Sequence, residues 1–200
     1  MLTAFQNFLY QCAISLDLPI LDWIQANLQS GFMDQFMPFI TKFGDHGTFW
    51  MIVAAVLFIF PKTRKTGLGM AIAMIIGLLV CNVTLKPLVG RIRPYDLQAE
   101  LGITIQLLGE RMHDFSFPSG HTIASFEAAV VLVKNSRKMG IPAMILAILI
   151  SFSRLYLYVH YPTDVIVSVI LGTLFALIGD ALAGLIAPKL RLGKRGRFEA

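Results

Sequence analysis

The chain is poor in charge. Asp, Glu, Lys and Arg make up 14% of its 200 residues against 56% hydrophobic ones, and mean hydropathy is +0.70. A water-soluble domain carries about 25% charged residues, so lipid is part of the solvent here. Cysteine is scarce too. Cys12 and Cys81 stand far apart with no CxxC pair, which excludes a disulfide framework and a cysteine-ligated zinc site. Cys81 lies inside an apolar run and reads as a small buried hydrophobe. No Lys or Arg precedes Lys42, so a basic n-region is missing and no cleavable signal peptide is expected. There is no internal repeat and no low-complexity tract. The net charge of +5 does not point to nucleic acid, because the basic residues form no single patch interleaved with exposed aromatics.

Long apolar stretches are what the chain does have, at roughly 47–61, 67–89, 121–134, 141–158 and 164–187. A helical span needs about 20 residues. The second, fourth and fifth stretches qualify outright, while the first and third must borrow flanking residues. The expected fold is all-α: a polytopic membrane helical bundle of five to six transmembrane helices. Residues 1–46 differ, mixing apolar positions with Asp17, Asp22, Asp34 and Asp45. The spacing of Ile20-Leu21, Trp23-Ile24 and Leu28 predicts one or two amphipathic helices lying in the interface, with an additional irregular span as the alternative. The chain thus divides into an interfacial segment (1–46), a transmembrane domain (47–188) and a basic cytoplasmic tail (189–200).

Orientation follows from Lys and Arg in the short loops. Lys62, Arg64 and Lys65, then Lys134, Arg137 and Lys138, then Lys189, Arg191, Lys194, Arg195 and Arg197 alternate so that they share one side, the cytoplasm. Lys86, Arg91, Arg93, Arg111 and Arg154 fall on the other side, with all four histidines. Cations and imidazoles converging on the outer face describe an anion site with acid–base chemistry.

Three segments meet there. Lys86, Arg93 and Arg154 supply a point charge and two planar forks suited to a tetrahedral oxyanion. Pro118-Ser119-Gly120-His121 opens a helix with a favoured N-cap, and Gly120 lets an anion approach the free N–H groups. His160 and Asp164 are four apart at the start of the last helix, with Pro162 near its first position. A carboxylate so placed can hold one ring nitrogen and leave the other facing phosphate, a triad logic with imidazole as nucleophile.

These segments read Lys86-x6-Arg93-Pro94, Pro118-Ser119-Gly120-His121 and Ser153-Arg154-x5-His160-x3-Asp164. In that order and spacing the sequence resembles the type 2 phosphatidic acid phosphatase superfamily, which includes vanadium haloperoxidases and glucose-6-phosphatase. The resemblance covers roughly residues 45–187, and the N-terminal segment is similar to that of the short bacterial members. It implies a metal-independent lipid phosphatase with no cofactor. His160 attacks phosphorus to give a phosphohistidine, Asp164 orients it, and His121 protonates the leaving oxygen and then activates water. Lys86, Arg93, Ser119, Gly120 and Arg154 bind the phosphoryl oxygens. Arg91 or Arg111 is available for a second phosphate or the entrance.

The expected partners are membrane lipids and a lipid phosphate or diphosphate. Undecaprenyl diphosphate is the expected substrate, since an outward-facing site is where that carrier is left, and short loops leave little room for a large headgroup. A phosphatidylglycerophosphate or phosphatidic acid phosphatase is the alternative. A haloperoxidase conflicts with the spans, and a transporter or lipid-binding protein leaves the His–His–Asp set unexplained.

Plainer roles are expected elsewhere. His46 and His113 read as interfacial helix-end residues, and Ser153 reads as structural as readily as phosphate-binding. Glu127 and Asp180, inside apparent spans, read as helix–helix hydrogen bonders, since a charge there costs about 2.5–3.5 kcal/mol. Gly172, Gly179 and Gly184 would let helices approach closely.

Overall fold

The computed structural model describes residues 2–189, so the expected tail beyond Lys189 lies outside the described residues. The chain begins with α1 (Leu2–Cys12) and α2 (Leu18–Leu28), joined in line by a π-helical turn over Ala13–Asp17. Pro19 comes just after that π-helical turn, in the first turn of α2. Next, α3 (Met33–Thr41) runs through a 3-10 turn at Lys42–Gly47 into α4 (Thr48–Ile59). That turn is kinked: Asp45 is extended, while His46 and Gly47 are left-handed, with φ of 51° and 67°.

After it, α5 (Arg64–Gly77) continues through a π-helical stretch, Leu78–Leu85, into the short α6 (Lys86–Val89). Gly90 ends α6 with φ 62°, a left-handed cap. The short α7 (Pro94–Glu100) and a loop lead to α8 (Gly120–Asn135), α9 (Arg137–Tyr156) and α10 (Pro162–Lys189). Among the described residues there is no β-strand.

Four helical runs are long and apolar enough to cross a bilayer: Met33–Ile59, Arg64–Glu100, Arg137–Tyr156 and Pro162–Pro188. With their lipid-facing rows, such as Ile166, Ile170, Leu174 and Leu185 on α10, they make this a multi-pass all-α membrane protein. The stretch expected at 121–134 forms α8, whose 16 residues reach about 24 Å, less than a bilayer core. Its position explains its composition. It is packed between α5, α9 and α10, and its Ala128, Ala129 and Val131 share a core with Trp50, Met70, Ile150 and Ala176. Shielded from lipid, it can carry the buried Thr122, Ser125 and Glu127; Ser125 Oγ accepts from Trp50 Nε1 at 3.0 Å.

The small residues act as spacers where helices touch. A Cβ on Gly179 would lie 2.6 Å from Gly69 O and 2.8 Å from Ala73 N, so α10 rests directly on α5. Gly172 does the same against α8, whereas Gly184 has only the Lys65 side chain nearby. Asp180 makes the helix–helix hydrogen bond expected of it, accepting from Asn135 Nδ2 at 2.8 Å and pairing with Lys134 at 3.0 Å. Glu127 does not; its Oε1 is buried without a partner.

α1 and α2 lie across one end of the bundle. Gln6 Nε2 donates to Val89 O at 2.9 Å and Gln25 Nε2 to Tyr156 O at 2.6 Å. Leu18, Leu21 and Ile24 pack on Tyr95, Leu97 and the Tyr156–Tyr161 turn, while Phe8, Leu16 and Trp23 stay exposed. One face of the segment is thus packed and the other exposed. The first long apolar run starts at Met33, however, and the expected 46/47 division falls on the kink inside it.

Candidate active site

At the capped end of the bundle, a cavity of about 740 Å³ is lined by Lys86, Arg93, Gly120, His121 and His160. Each side chain arrives by a local rule of the chain. Lys86 follows the π-helical stretch, which carries Asn82 and Lys86 to the cavity wall. Arg93 precedes Pro94 in extended backbone (φ −79°, ψ 156°), the conformation proline imposes on its neighbour. Gly120 and His121 are the first residues of α8. His160 sits in the turn between α9 and α10, held by hydrogen bonds from the Val159 and His160 N–H groups to Arg154 O, at 3.2 and 3.3 Å.

His160 is 1% exposed. Burial, with Arg93, Arg154, Lys86 and His121 close by, pushes its basicity well below the ordinary histidine value. The ring is therefore a neutral imidazole with a lone pair to offer. Its Nδ1 lies 3.6 Å from Asp164 Oδ2 and has no hydrogen-bond partner. That separation is too long for a hydrogen bond, so Asp164 faces the ring without holding it.

Asp164 is instead held by others. Its Oδ1 accepts from Arg91 Nη1 at 2.5 Å, and its Oδ2 from Ser116 Oγ and from Tyr161 N, the latter at 3.1 Å. Arg91 in turn reaches Asp17 Oδ2 at 2.8 Å and Leu9 O at 3.1 Å, and stacks 3.8 Å above the Tyr161 ring. Both ends of its fork are used and the residue is buried. The structure thus corrects the expectation of Arg91 as a second-phosphate or entrance residue: it stands behind Asp164. Arg111 does lie exposed, paired with Asp96 and 5.2 Å from the Tyr95 ring centre.

The remaining cations divide. Arg93 donates to Val159 O at 2.6 Å, to Asp114 O at 2.9 Å and to Asp114 Oδ1 at 2.5 Å, and Lys86 pairs with Asp114 Oδ2. Partial burial opposes ionisation of Asp114, but Lys86 and Arg93 hold its carboxyl well below the usual carboxylate range. A carboxylate thereby occupies the two cations expected to grip phosphoryl oxygens. Arg154 is buried, donates to Thr41 Oγ1 at 2.6 Å, and keeps an unpartnered Nε. Ser119 is fully buried; its N–H donates to Ser168 Oγ at 2.8 Å and its Oγ accepts from Thr122 Oγ1 at 3.1 Å. Ser153 Oγ donates to Ile150 O at 2.6 Å, the structural option. His46 lines the cavity wall and His113 is exposed.

Sequence reasoning missed Asp114 and the aspartates of the N-terminal segment. Asp17 serves Arg91, Asp22 accepts from Tyr158 Oη at 2.6 Å, and Asp34 accepts from Tyr156 Oη at 2.5 Å. Asp45 lies 2.9 Å from His121 Nε2. A signal was present: a carboxylate recurring among apolar residues demands a partner.

Away from this polar end the cavity continues between α4 and α5, past Met51, Ala54 and Phe58 on one side and Ala71, Met74 and Leu78 on the other. A pole lined by Lys86, Arg93 and two imidazoles is thus joined to an apolar channel.

Residues 63–182 match the family model described as the PAP2 superfamily. The chain is 36% identical over 138 residues to an undecaprenyl-diphosphatase of Sulfolobus acidocaldarius, covering 68% of this chain and 64% of that protein. It is 31% identical over 154 residues to the undecaprenyl-diphosphatase BcrC of Bacillus subtilis, covering 75% and 77%. The crystal structure of a PAP2-type phosphatidylglycerolphosphate phosphatase from Bacillus subtilis superposes with a TM-score of 0.70 at 26% identity, over 99% of this chain and 97% of that one. Aquifex aeolicus LpxE gives 0.64 at 25% identity, over 82% and 94%. With the family model covering more than half of it, the chain belongs to the PAP2 superfamily.

Proposed function

We propose that this protein is a membrane lipid phosphatase that hydrolyses a long-chain isoprenoid diphosphate, undecaprenyl diphosphate, to the monophosphate at the outer membrane face. The observation that carries this reading is the continuity of one cavity from His160, Lys86 and Arg93 into the apolar channel between α4 and α5. A headgroup and a hydrocarbon chain can occupy it together.

In this reading the terminal phosphoryl group enters between Lys86 and Arg93, displacing the Asp114 carboxylate, with Gly120 N–H and Arg154 at its other oxygens. His160 Nε2, on the ring edge away from Asp164, attacks phosphorus in line. The N–P bond forms as the bridging P–O bond breaks, and the lipid monophosphate leaves. Water, deprotonated by His121, then releases inorganic phosphate and regenerates His160. Asp164, fixed by Arg91, Ser116 and Tyr161 N–H, offsets positive charge on the ring as the phosphohistidine forms.

The outward orientation rests on the distribution of Lys and Arg described above. Residues 1–46 would then cap the site from the outer interface, and 189–200 would be a cytoplasmic tail. Two relatives named undecaprenyl-diphosphatase favour the isoprenoid. The likeness to a phosphatidylglycerolphosphate phosphatase over nearly the whole chain favours the second reading, a glycerolipid phosphatase.

The test is phosphate release by purified protein from undecaprenyl diphosphate, phosphatidylglycerophosphate and phosphatidic acid in one detergent with EDTA present. The highest kcat/KM is expected on the diphosphate. A clear preference for a glycerolipid would replace the substrate, and no release from any of them would remove the phosphatase reading.

A further inference from the structure

His121 stands in a cradle. The kinked turn between α3 and α4 wraps around it: a Cβ on Gly44 would lie 2.6 Å from His121 Cδ2, so only glycine lets the backbone lie against the ring. Beyond Gly44 the chain turns extended at Asp45 and then left-handed at His46 and Gly47. Two successive left-handed residues, one of them not glycine, are uncommon in a helix connection. Here they aim the Asp45 side chain back at α8, with Oδ1 2.9 Å from His121 Nε2. Gly47 packs against Ala124, one turn further along α8.

The surroundings give that contact its meaning. Besides Asp45, the charged and titratable groups about His121 are Arg154 on α9, Lys86 at the start of α6 and His160. Glu127 lies further down α8 on the same cavity. Burial, with the cations Arg154 and Lys86, pushes the His121 ring below the ordinary histidine value, to about 4, and the Asp45 carboxylate in hydrogen-bond reach works the other way, favouring the charged imidazole. Among the described residues, Asp45 is the carboxylate that touches the ring.

We infer that Asp45 is a positioning residue for the general acid: it holds Nε2 of His121, balances the nearby cations, and so equips the enzyme to expel alkoxide as well as phosphate leaving groups. This rests on the phosphatase reading above and adds to it a determinant of substrate range.

The proton balance makes the difference between substrates. In a phosphomonoester, the N–P bond to His160 forms while the P–O bond to the lipid alcohol breaks. The departing alkoxide takes a proton from the His121 imidazolium, whose Nε2–H stays on Asp45 and whose Nδ1–H is the one given. In a diphosphate, the departing oxygen belongs to a lipid monophosphate, a weak base that leaves without that proton. With a monoester, water returns that proton to His121 as it cleaves the phosphohistidine; with a diphosphate, His121 enters hydrolysis as the neutral imidazole, takes a proton from the attacking water and then releases it to solvent.

The experiment compares Asp45→Asn with wild type on phosphatidic acid and on undecaprenyl diphosphate, and on phenyl and p-nitrophenyl phosphate as soluble monoesters with poor and good leaving groups. The expected result is a kcat loss of about 10²-fold on phosphatidic acid and phenyl phosphate, the scale of general-acid catalysis, with diphosphate and p-nitrophenyl phosphate reduced only a few-fold. Asp45→Glu should recover part of the monoester rate. An equal loss on all four substrates would make Asp45 merely structural and overturn the inference, as would no loss on any. If Asp45→Asn does not purify as a folded protein, Asp45→Ser repeats the comparison at the same kink. Wild-type protein that turns over none of the substrates would instead remove the phosphatase reading.

Discussion

Arg91 Nη1 lies 2.5 Å from Asp164 Oδ1, and the same guanidinium reaches Asp17 Oδ2 at 2.8 Å. A cation that sequence spacing puts beside the phosphate is thus spent between two buried carboxylates, one from the last helix and one from the N-terminal segment. All three side chains are nearly or fully removed from solvent, so each depends on the others for its hydrogen bonds.

Arg91→Ala is therefore expected to harm both fold and activity. Leaving one member of a buried ion pair alone costs about 3–5 kcal/mol, and two carboxylates lose their partner here. Thermal unfolding in detergent should show a large drop in Tm. Asp17→Asn, which keeps shape and a hydrogen bond to Thr163, should cost less. Equal wild-type stability in both variants would contradict the clamp.

His160→Ala should abolish turnover. His121→Ala should slow it by about 10²–10⁴-fold, the range for losing a general acid or base, and let the covalent intermediate build up. Acid-labile phosphate on His160, found by mass spectrometry of quenched His121→Ala, is the expected signature. Retained activity in His160→Ala would end the phosphohistidine scheme.

Arg93 binds through three nitrogens in fixed directions. Arg93→Ala should cost about 10²-fold or more in kcat/KM, because the guanidinium stabilises charge on the transferring group. Arg93→Lys should recover little of it, since a single ammonium cannot replace the fork.

Asp114 pairs with both Lys86 and Arg93 from a loop position that leaves its side chain 49% exposed. Asp114→Asn should tighten inhibition by inorganic phosphate or vanadate up to about fivefold, the roughly 1 kcal/mol of an exposed ion pair. Weaker inhibition would mean that Asp114 holds the cations in place rather than competing for them.

Ala71 faces the channel between α4 and α5. Ala71→Trp is expected to slow undecaprenyl diphosphate about tenfold or more while leaving farnesyl diphosphate near wild type, because only the longer chain reaches that depth. This follows from the size of methylene burial, about 0.8 kcal/mol for each group displaced. Equal effects on both substrates would place the long chain elsewhere.

Much was legible in the sequence because it rests on local rules. Apolar runs of bilayer length declare spans, and a Pro or Gly at a helix end declares where Lys86, Arg93, His121 and His160 emerge. These residues do line one cavity. What spacing cannot convey is which of several nearby charges faces which. Arg91 and Arg93 are two residues apart and would share a face in a regular extended segment, yet Asp17 and Asp164 draw one behind the histidine turn while Asp114 holds the other at the cavity. Asp164 lies four residues from His160, but its oxygens are claimed by Arg91, Ser116 and Tyr161 N–H, so the ring stands at 3.6 Å.

The N-terminal aspartates mark the limit most clearly. By composition Asp17, Asp22, Asp34 and Asp45 belong to an amphipathic segment, and their recurrence among apolar residues signals a need for partners without saying which. Only the folding of that segment across the end of the bundle gives them Arg91, Tyr158, Tyr156 and His121. The sequence by itself determined the class of solvent, the helices and the chemistry available at one membrane face, since those depend on residue type and short-range spacing. The pairing of acids with bases was decided by tertiary structure, because an ion pair forms between side chains tens of residues apart and depends on distances that the linear order does not contain.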